Sequence, residues 1–345
     1  MEMWFDTIEE ISNPALTVEA QTVPLPQQET FLQDDLMPRD DVDDTEIRGA
    51  TVRAIRPTSG RREWNAPGVT VEKPVAETFQ MNILPIEGRD QIDEQEYDKL
   101  QRATLRGGEK RLRELLVADI PSRVRHIALA NIRTLEQDTY ISWLYGEIRQ
   151  FNPQNRAQTI AAEFPWKDER IQTAGTAWND GTVNAYNEFM AFLKEGQEEI
   201  GAIDGVMLRA ALLAVIRADA PTVNGKALNL VELEAEIQAE IGQEFTFIVN
   251  RAWIEPRGVK TFLFPVSRVA LVPAGGAVGR RLFAPVGRAI DADLAVPDAE
   301  IDVRGQGAFR ETSNGGRHWA MQVQLNAAPY PDKNLVWVAD TGVNG

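Results

Sequence analysis

The chain contains no cysteine and only two histidines among its 345 residues. The missing thiols exclude disulfides, thiolate metal sites and cysteine nucleophiles, and their absence is typical of proteins that mature in a reducing cytoplasm. His126 and His318 are far apart in the sequence, and neither has a second histidine at metal-binding spacing. The sequence also has no G-x-S-x-G segment for a serine nucleophile. We therefore expect both histidines to be structural, and we expect no metal, no cofactor and no catalytic site.

Long apolar runs and an excess of positive charge are missing as well. No segment approaches the roughly 18 apolar residues that would span a bilayer. The first residues, MEMWFDTIEE, carry acids where a signal peptide would carry lysine or arginine, so secretion by that route is not expected. The net charge of -16 would repel nucleic acid, which argues against a DNA-binding surface.

Acidic residues are concentrated in the first part of the chain. From Glu2 to Glu46 there are thirteen acids and a single base, Arg39. Residues 1–46 also contain four prolines and show no sustained apolar period, which predicts an extended arm. The arm either stays in solvent or becomes ordered against a neighbouring copy.

The clearest pattern is the strand alternation of residues 69–83, in which six of the eight odd positions are apolar. Fifteen extended residues would reach about 50 Å, far more than an ordinary strand. A second strand is predicted at 47–56, so residues 47–92 form a long hairpin. Pro74 cannot donate to a ladder and Lys73 interrupts the apolar face. Because an isolated hairpin is only marginally stable in water, its outer half is expected to project and to lie on another copy.

The turn of this hairpin has two interpretations. It is either a solvated turn with Trp64 folded back on its own strands, or an exposed tip whose arginines and tryptophan anchor an interface. An acidic arm of a neighbouring copy would be the natural counterpart. The predicted self-assembly contacts are accordingly Arg61, Arg62, Glu63, Trp64 and Lys73 in the hairpin, and Asp40, Asp41, Asp43 and Asp44 in the arm.

A long helix and a mixed region follow. A helical region is predicted from about Glu94 to Val117, weakened by the glycines at 107 and 108. Helical spacing then predicts a second helix from Pro121, as its first residue, to Gln150, about 45 Å long. Further helices are predicted around 185–193, at 206–218 and from Asn229 to Ile241, the last opened by a capping box of Asn229 and Glu232. The remaining strands are predicted at 245–249, 261–264, 269–272, 319–327 and 335–339.

Gly275, Gly276 and Gly279 follow a predicted strand and could cradle a phosphate through backbone N–H groups. The segment lacks the G-x-G-x-x-G order and a Walker lysine, so a flexible link is the competing interpretation. A soluble α/β enzyme that binds a phosphate ligand at these glycines is therefore kept as an alternative.

Four passages together resemble the major capsid proteins of tailed bacteriophages, which share the HK97-type fold, and among them the lambda-like branch. They are RREWNAPGVTVEKPVAETFQMNILPI at 61–86, the long helix at 121–150, VALVPAGGAVGRRLFAP at 269–285, and the closing strand at 310–328. The resemblance implies an α+β fold. Its parts would be an N-terminal arm (1–46), an extended hairpin loop (47–92), a peripheral domain with a spine helix (93–170), an axial α/β domain (171–300) and strands that return to the peripheral domain (301–345).

The same resemblance implies a structural protein rather than an enzyme. Hexamers and pentamers would close into an icosahedral shell around double-stranded DNA, without sequence-specific binding and without a membrane. The expected partners are further copies of the chain, a separate scaffolding protein and a portal, with a decoration protein left open. The expected location is the virion, after assembly in the host cytoplasm. An encapsulin-like cellular compartment with the same fold is the main alternative.

Overall fold

The computed structural model describes residues 13–24, 36–52, 76–92, 109–151, 158–223, 225–254, 260–286, 302, 304–313 and 318–343. The helices within these ranges are α1 (Asn13–Gln21), α2 (Glu109–Tyr145), α3 (Lys167–Arg170), α4 (Ala185–Ile200), α5 (Ala210–Asp219) and α6 (Leu230–Ile241). The strands are β1 (Arg39–Asp41), β2 (Glu46–Val52), β3 (Ala76–Asn82), β4 (Pro85–Ile92), β5 (Glu147–Phe151), β6 (Gln158–Glu163), β7 (Ile171–Thr173), β8 (Ile203–Leu208), β9 (Thr222–Val223), β10 (Lys226–Ala227), β11 (Thr246–Val249), β12 (Trp253–Ile254), β13 (Thr261–Phe262), β14 (Arg268–Pro273), β15 (Gly279–Phe283), β16 (Gly307–Ser313), β17 (His318–Pro331) and β18 (Val338–Asp340).

The first sheet, here called the peripheral sheet, is built around the long strand β17. Its N-terminal part pairs antiparallel with β16 on one side and β4 on the other. Its C-terminal end pairs with β15, which pairs in parallel with β1. Helix α2 has 37 residues, a length of about 55 Å, and packs across β17 and β4. As the alternation predicts, Met321, Val323 and Leu325 are buried in the hydrophobic clusters that also contain residues of α2.

The second sheet, here called the axial sheet, has the strand order β11-β8-β14-β18-β7. Its strands alternate between two buried faces, so both sides of the sheet must be covered. Val206 and Leu271 belong to the core formed with helices α4, α5 and α6. Met207 and Ala270, one residue away in each strand, belong to a different core that contains the end of α2.

The C-terminal end of α2 joins the two sheets. Tyr140 and Trp143 are almost fully buried, in one cluster with Ala270 of the axial sheet and Leu282 of the peripheral sheet. Phe264 meets both aromatic rings edge to face, with centroid distances of 6.3 Å. The long helix therefore fixes the position of one sheet relative to the other through a shared apolar core.

Several predicted helices and strands are confirmed. Helix α6 begins after Asn229, whose side chain accepts from the Glu232 N–H at 3.0 Å, while the Asn229 N–H donates to the Glu232 carboxylate at 2.8 Å. Helix α4 and strands β11, β14 and β17 also lie where the apolar pattern predicts them.

Three helix boundaries are wrong. Pro121 lies inside α2, which begins at Glu109, because the burial of flanking residues such as Ile120 offsets the one hydrogen bond that proline cannot donate. The helix ends at Tyr145 instead of Gln150, since Gly146, at φ +62°, turns the chain into β5. The segment predicted as a helix from 206 begins as β8, and α5 starts at Ala210. An apolar run of this length fits a buried strand as well as a helix.

The arm is also not wholly extended. Residues Asn13–Gln21 form helix α1, on which Leu16 and Ala20 are 1% exposed. They pack against Val124 and Ala128 of α2. A short helix takes most of its stability from such tertiary packing. The local sequence, which shows little helical periodicity here, therefore did not predict it.

Strand membership departs from the predicted domain ranges at two places. Strand β15, within the range 171–300, pairs in the peripheral sheet, and β18, within 301–345, pairs in the axial sheet. The chain passes from β14 of the axial sheet to β15 of the peripheral sheet through Gly275 and Gly276, which take positive φ angles directly after β14.

Candidate self-assembly surface

The acidic part of the arm starts from a firmly held segment. The Val278 N–H donates to the Leu36 carbonyl at 2.7 Å, and the Arg281 guanidinium donates to the Met37 carbonyl at 2.8 Å. Met37 is fully buried, and β1 follows directly as an edge strand beside β15. The aspartates after Met37 are therefore presented at the rim of the peripheral sheet.

The four predicted aspartates all have partners in their own chain. Asp40 pairs with Arg280 at 3.0 Å, Asp41 with Arg39 at 2.7 Å, and Asp43 with Arg304 at 2.5 Å. The fourth, Asp44, accepts from the Glu46 N–H at 3.2 Å. The Asp43 side chain is 93% exposed, so its pair with Arg304 lies largely in solvent and contributes little to stability.

Arg39 is the centre of this rim. It pairs with Asp302 as well as Asp41, and its guanidinium carbon lies 4.7 Å from the centroid of the Phe283 ring. Burial alone would lower the pKa of Arg39, but the two carboxylates outweigh that effect and raise the pKa. Sequence analysis missed Arg280 and Arg304, which are 240 and 261 residues from their aspartate partners, because no local pattern connects such distant positions.

The base of the predicted hairpin is confirmed. Strands β2 and β3 pair antiparallel over seven residues, from Glu46 opposite Asn82 to Val52 opposite Ala76. Within the described residues this ladder is joined to no further strand. Met81 and Ile83 anchor it in the core beside α2. The hairpin therefore leaves the body from a buried root.

The predicted contacts at the tip of the hairpin lie outside the described residues. These are Arg61, Arg62, Glu63, Trp64 and Lys73. Their role in assembly stays a prediction.

A second hairpin, β5–β6, follows α2 and was not found by sequence analysis. Glu147 at its root is buried, and its carboxylate accepts from Lys167 at 2.5 Å and from Arg149 at 3.0 Å. Burial would raise the pKa of Glu147, but these two cations outweigh it and hold the pKa below its usual value. The apolar side chain of Ile160 on the same hairpin is 53% exposed. The β5–β6 hairpin thus presents apolar surface to solvent.

The glycine segment considered for phosphate binding is used by the chain itself. The Gly275 N–H, which would have faced a phosphate, donates to the Asp204 carboxylate at 2.9 Å. A bound anion would have to displace this carboxylate and would meet its negative charge. The geometry favours a structural link between the two sheets over a phosphate site.

Other chemistry finds no support in the described part of the chain. His126 is exposed on α2. No cluster of three or more histidine, aspartate or glutamate side chains suited to a metal ion occurs among the described residues. None of the helices described is long and apolar enough to cross a membrane.

Comparisons with known proteins place the fold. No family model matches the sequence, and no curated protein does so either. A protein assigned as the capsid protein of a prophage in Escherichia coli CFT073 superposes with a TM-score of 0.51 at 10% identity, over 90% of this chain and 93% of that one. The chain therefore has a capsid-protein fold.

Two further structures align over similar lengths. The capsid of Myoviridae phage XM1 has a TM-score of 0.46 at 13% identity, covering 92% of this chain and 95% of its own. The SrpI encapsulin of Synechococcus elongatus PCC 7942 has a TM-score of 0.42 at 10% identity, covering 93% and 90%.

Proposed function

We propose that this chain is the major capsid protein of a tailed bacteriophage, and that many copies assemble into hexamers and pentamers of an icosahedral head around double-stranded DNA. The observation that carries this proposal is the capsid-protein fold, which extends over nine-tenths of the chain. A fold that is matched over nine-tenths of the chain leaves little of it for a separate catalytic domain. The protein acts as a structural unit and not as an enzyme.

The hairpin formed by β2 and β3 supports the same function. Its base is fixed in the core by Met81 and Ile83, yet the paired strands meet no other strand within the described residues. Twenty-three residues, 53–75, connect the two strands beyond Val52 and Ala76. Because a two-stranded ribbon needs a surface to lie on, an adjacent subunit of the shell supplies one.

The partners follow from this function. Copies of the chain itself are the main partner, with a separate scaffolding protein during assembly and a portal at one vertex. A decoration protein would bind the outside of the finished shell. The chain encloses DNA without reading its sequence, and assembly takes place in the host cytoplasm before the protein becomes part of the virion.

Electron microscopy and sedimentation velocity of the purified chain, alone and coexpressed with its scaffold, test the proposal. Closed shells, rings or hexamers are the expected result. A chain that stays monomeric at high concentration and melts at a higher temperature with phosphate ligands would overturn it in favour of an enzyme. A shell that retains a cargo enzyme instead of DNA would favour a cellular compartment.

Deletion of Thr58–Ala66 tests the hairpin. The buried root is left intact, so the variant is expected to fold with an unchanged melting temperature but to form no closed shells. Replacing the same nine residues with a Gly/Ser linker of equal length is the control for loop length, and it should also fail to close. Normal shells from either variant would contradict the role of the tip.

A further inference from the structure

Two aromatic rings and three cations form a patch beside the axial sheet. Trp253 of β12 lies directly opposite Phe262 of β13. The Lys260 ammonium lies 4.5 Å from the centroid of the Trp253 ring and 5.2 Å from that of Phe262. The Arg209 guanidinium carbon lies 3.6 Å from the centroid of the Phe262 ring. Arg251 is exposed two residues before Trp253. These five residues are called the cation–aromatic patch.

The patch is unusual for this chain. Acids outnumber bases by 52 to 36, and many described cations, such as Arg123, Lys194 and Arg268, pair with an acid. The three cations of the patch form no ion pair within the described residues, and Phe262 is 41% exposed. Arginine and tryptophan on a partly exposed apolar surface have the composition of interface anchors. With no ion pair among the described residues, the three cations fit an acidic partner.

Such an acidic surface lies on α4. Glu188, Glu195 and Glu198 are spaced i, i+7 and i+10, which puts them on one face of the helix over about 15 Å. All three are exposed, and none has an ion pair in the described part of the chain. The small exposed side chain of Ala191 lies between them and leaves room for an aromatic ring. These residues are called the acidic stripe.

The stripe and the β12–β13 part of the patch belong to elements that pack against opposite faces of the axial sheet. Helix α4 covers one face of the axial sheet, where Phe189 and Leu193 are buried. Leu263 and Phe264, which continue from the patch, pack in the core on the opposite face. Two complementary surfaces on opposite sides of a subunit allow a head-to-tail contact, which closes into a ring when it is repeated.

We propose that the cation–aromatic patch binds the acidic stripe on α4 of a second copy of this chain. The contact rests on the proposed assembly function and specifies one of its interfaces. Each subunit of a ring would offer its patch to one neighbour and its stripe to the other. Opposite charges would steer the encounter and fix the register, while Trp253 and Phe262 exclude water at the centre.

A charge swap tests this contact in the full chain. Lys260→Glu reverses the patch at an exposed side chain, whereas Arg209 is left unchanged because its guanidinium also donates to the Phe264 carbonyl. Glu195→Lys with Glu198→Lys reverses the stripe. Each change is expected to lower the fraction of protein in rings or shells about tenfold, and the combined variant is expected to recover it. Lys226→Glu on β10, an exposed lysine outside the patch, is the matched control and should assemble normally.

The readouts are sedimentation velocity and electron microscopy for assembly, circular dichroism melting for folding, and fluorescence anisotropy with a double-stranded DNA probe. Normal assembly of Lys260→Glu overturns the contact while the wild-type shells keep the proposed function intact. Impaired single variants that the combined variant does not rescue overturn the assignment of α4 as the partner surface. A Lys260→Glu variant that assembles normally but loses DNA binding would show that the patch binds nucleic acid and not a second copy of the chain.

Discussion

Individual residues set how closely the elements of this protein approach one another. Gly88 lies in β4 where the strand crosses α2, and a Cβ added there would lie 2.3 Å from Ile127 Cγ2 and 3.3 Å from Asn131 Oδ1. Ile127 is β-branched and stiff at χ1, so its methyl group cannot move aside without shifting the helix. Asn131 is buried and donates to the Val323 carbonyl at 3.0 Å, which ties the same turn of α2 to β17.

Gly88→Ala is therefore expected to lower the free energy of unfolding by about 1–3 kcal/mol through overpacking. Urea unfolding followed by circular dichroism measures the change. Gly175→Ala is the control, because a Cβ at Gly175 meets nothing within 4 Å, and its stability should change by less than about 0.5 kcal/mol. Equal stability of the two variants would show that α2 and β4 are not in close contact at Gly88.

At the scale of elements, α2 shows which features of a helix could be predicted from the sequence and which could not. The periodicity of residues after Pro121 predicts a long helix, and it is there. The continuity of the helix through Pro121, the packing of α1 and the fold of 203–208 as β8 escaped prediction, because each depends on contacts with segments remote in sequence. Long-range ion pairs such as Asp43 with Arg304 are equally invisible to local patterns. Strand alternation was more informative, since β3 and β17 both form within the segments where the alternating pattern predicts strands.

Helix α2 also holds an acid in an unfavourable position. Burial raises the pKa of Asp138 to about 7, and no cation that would offset the burial contacts it among the described residues. A carboxyl group whose pKa is raised in the folded state costs nothing at pH below its unfolded pKa of about 3.9. The cost grows as the pH rises toward the folded pKa, and it is complete above that value.

Asp138→Asn is expected to have nearly wild-type stability at pH 4 and to be more stable than wild type at pH 8, by at most about 4 kcal/mol. Thermal melts of both proteins between pH 4 and pH 8 provide the measurement. Asp119→Asn on the same helix is the control, since Asp119 is half exposed and pairs with Arg123 at 2.7 Å. A stability difference that does not depend on pH would contradict a raised pKa for Asp138.

At the scale of the whole molecule, charge has two separable roles. A net charge of -16 would keep the inner wall of a shell from adhering to packaged DNA, whichever acids supply it. The aspartates from Asp40 to Asp44 have a local role as well, because Arg280, Arg39 and Arg304 tie them to the rim of the peripheral sheet. Removing the same number of charges from two places distinguishes the two roles.

Replacing Asp40, Asp41, Asp43 and Asp44 with asparagine is expected to loosen the arm and to lower virion yield. A control with the same net charge carries Gln or Asn at four exposed acids without described ion pairs, namely Glu87, Asp168, Glu236 and Glu244. The control should assemble normally if the pairing of the arm matters more than total charge. Limited proteolysis of the arm, shell counts by electron microscopy and packaged DNA per particle separate the effects. Equal losses in both variants would assign the effect to net charge. Wild-type yield from the arm variant would refute a role for the acidic segment, because the loss of three ion pairs would then have left both the rim and the shell unchanged.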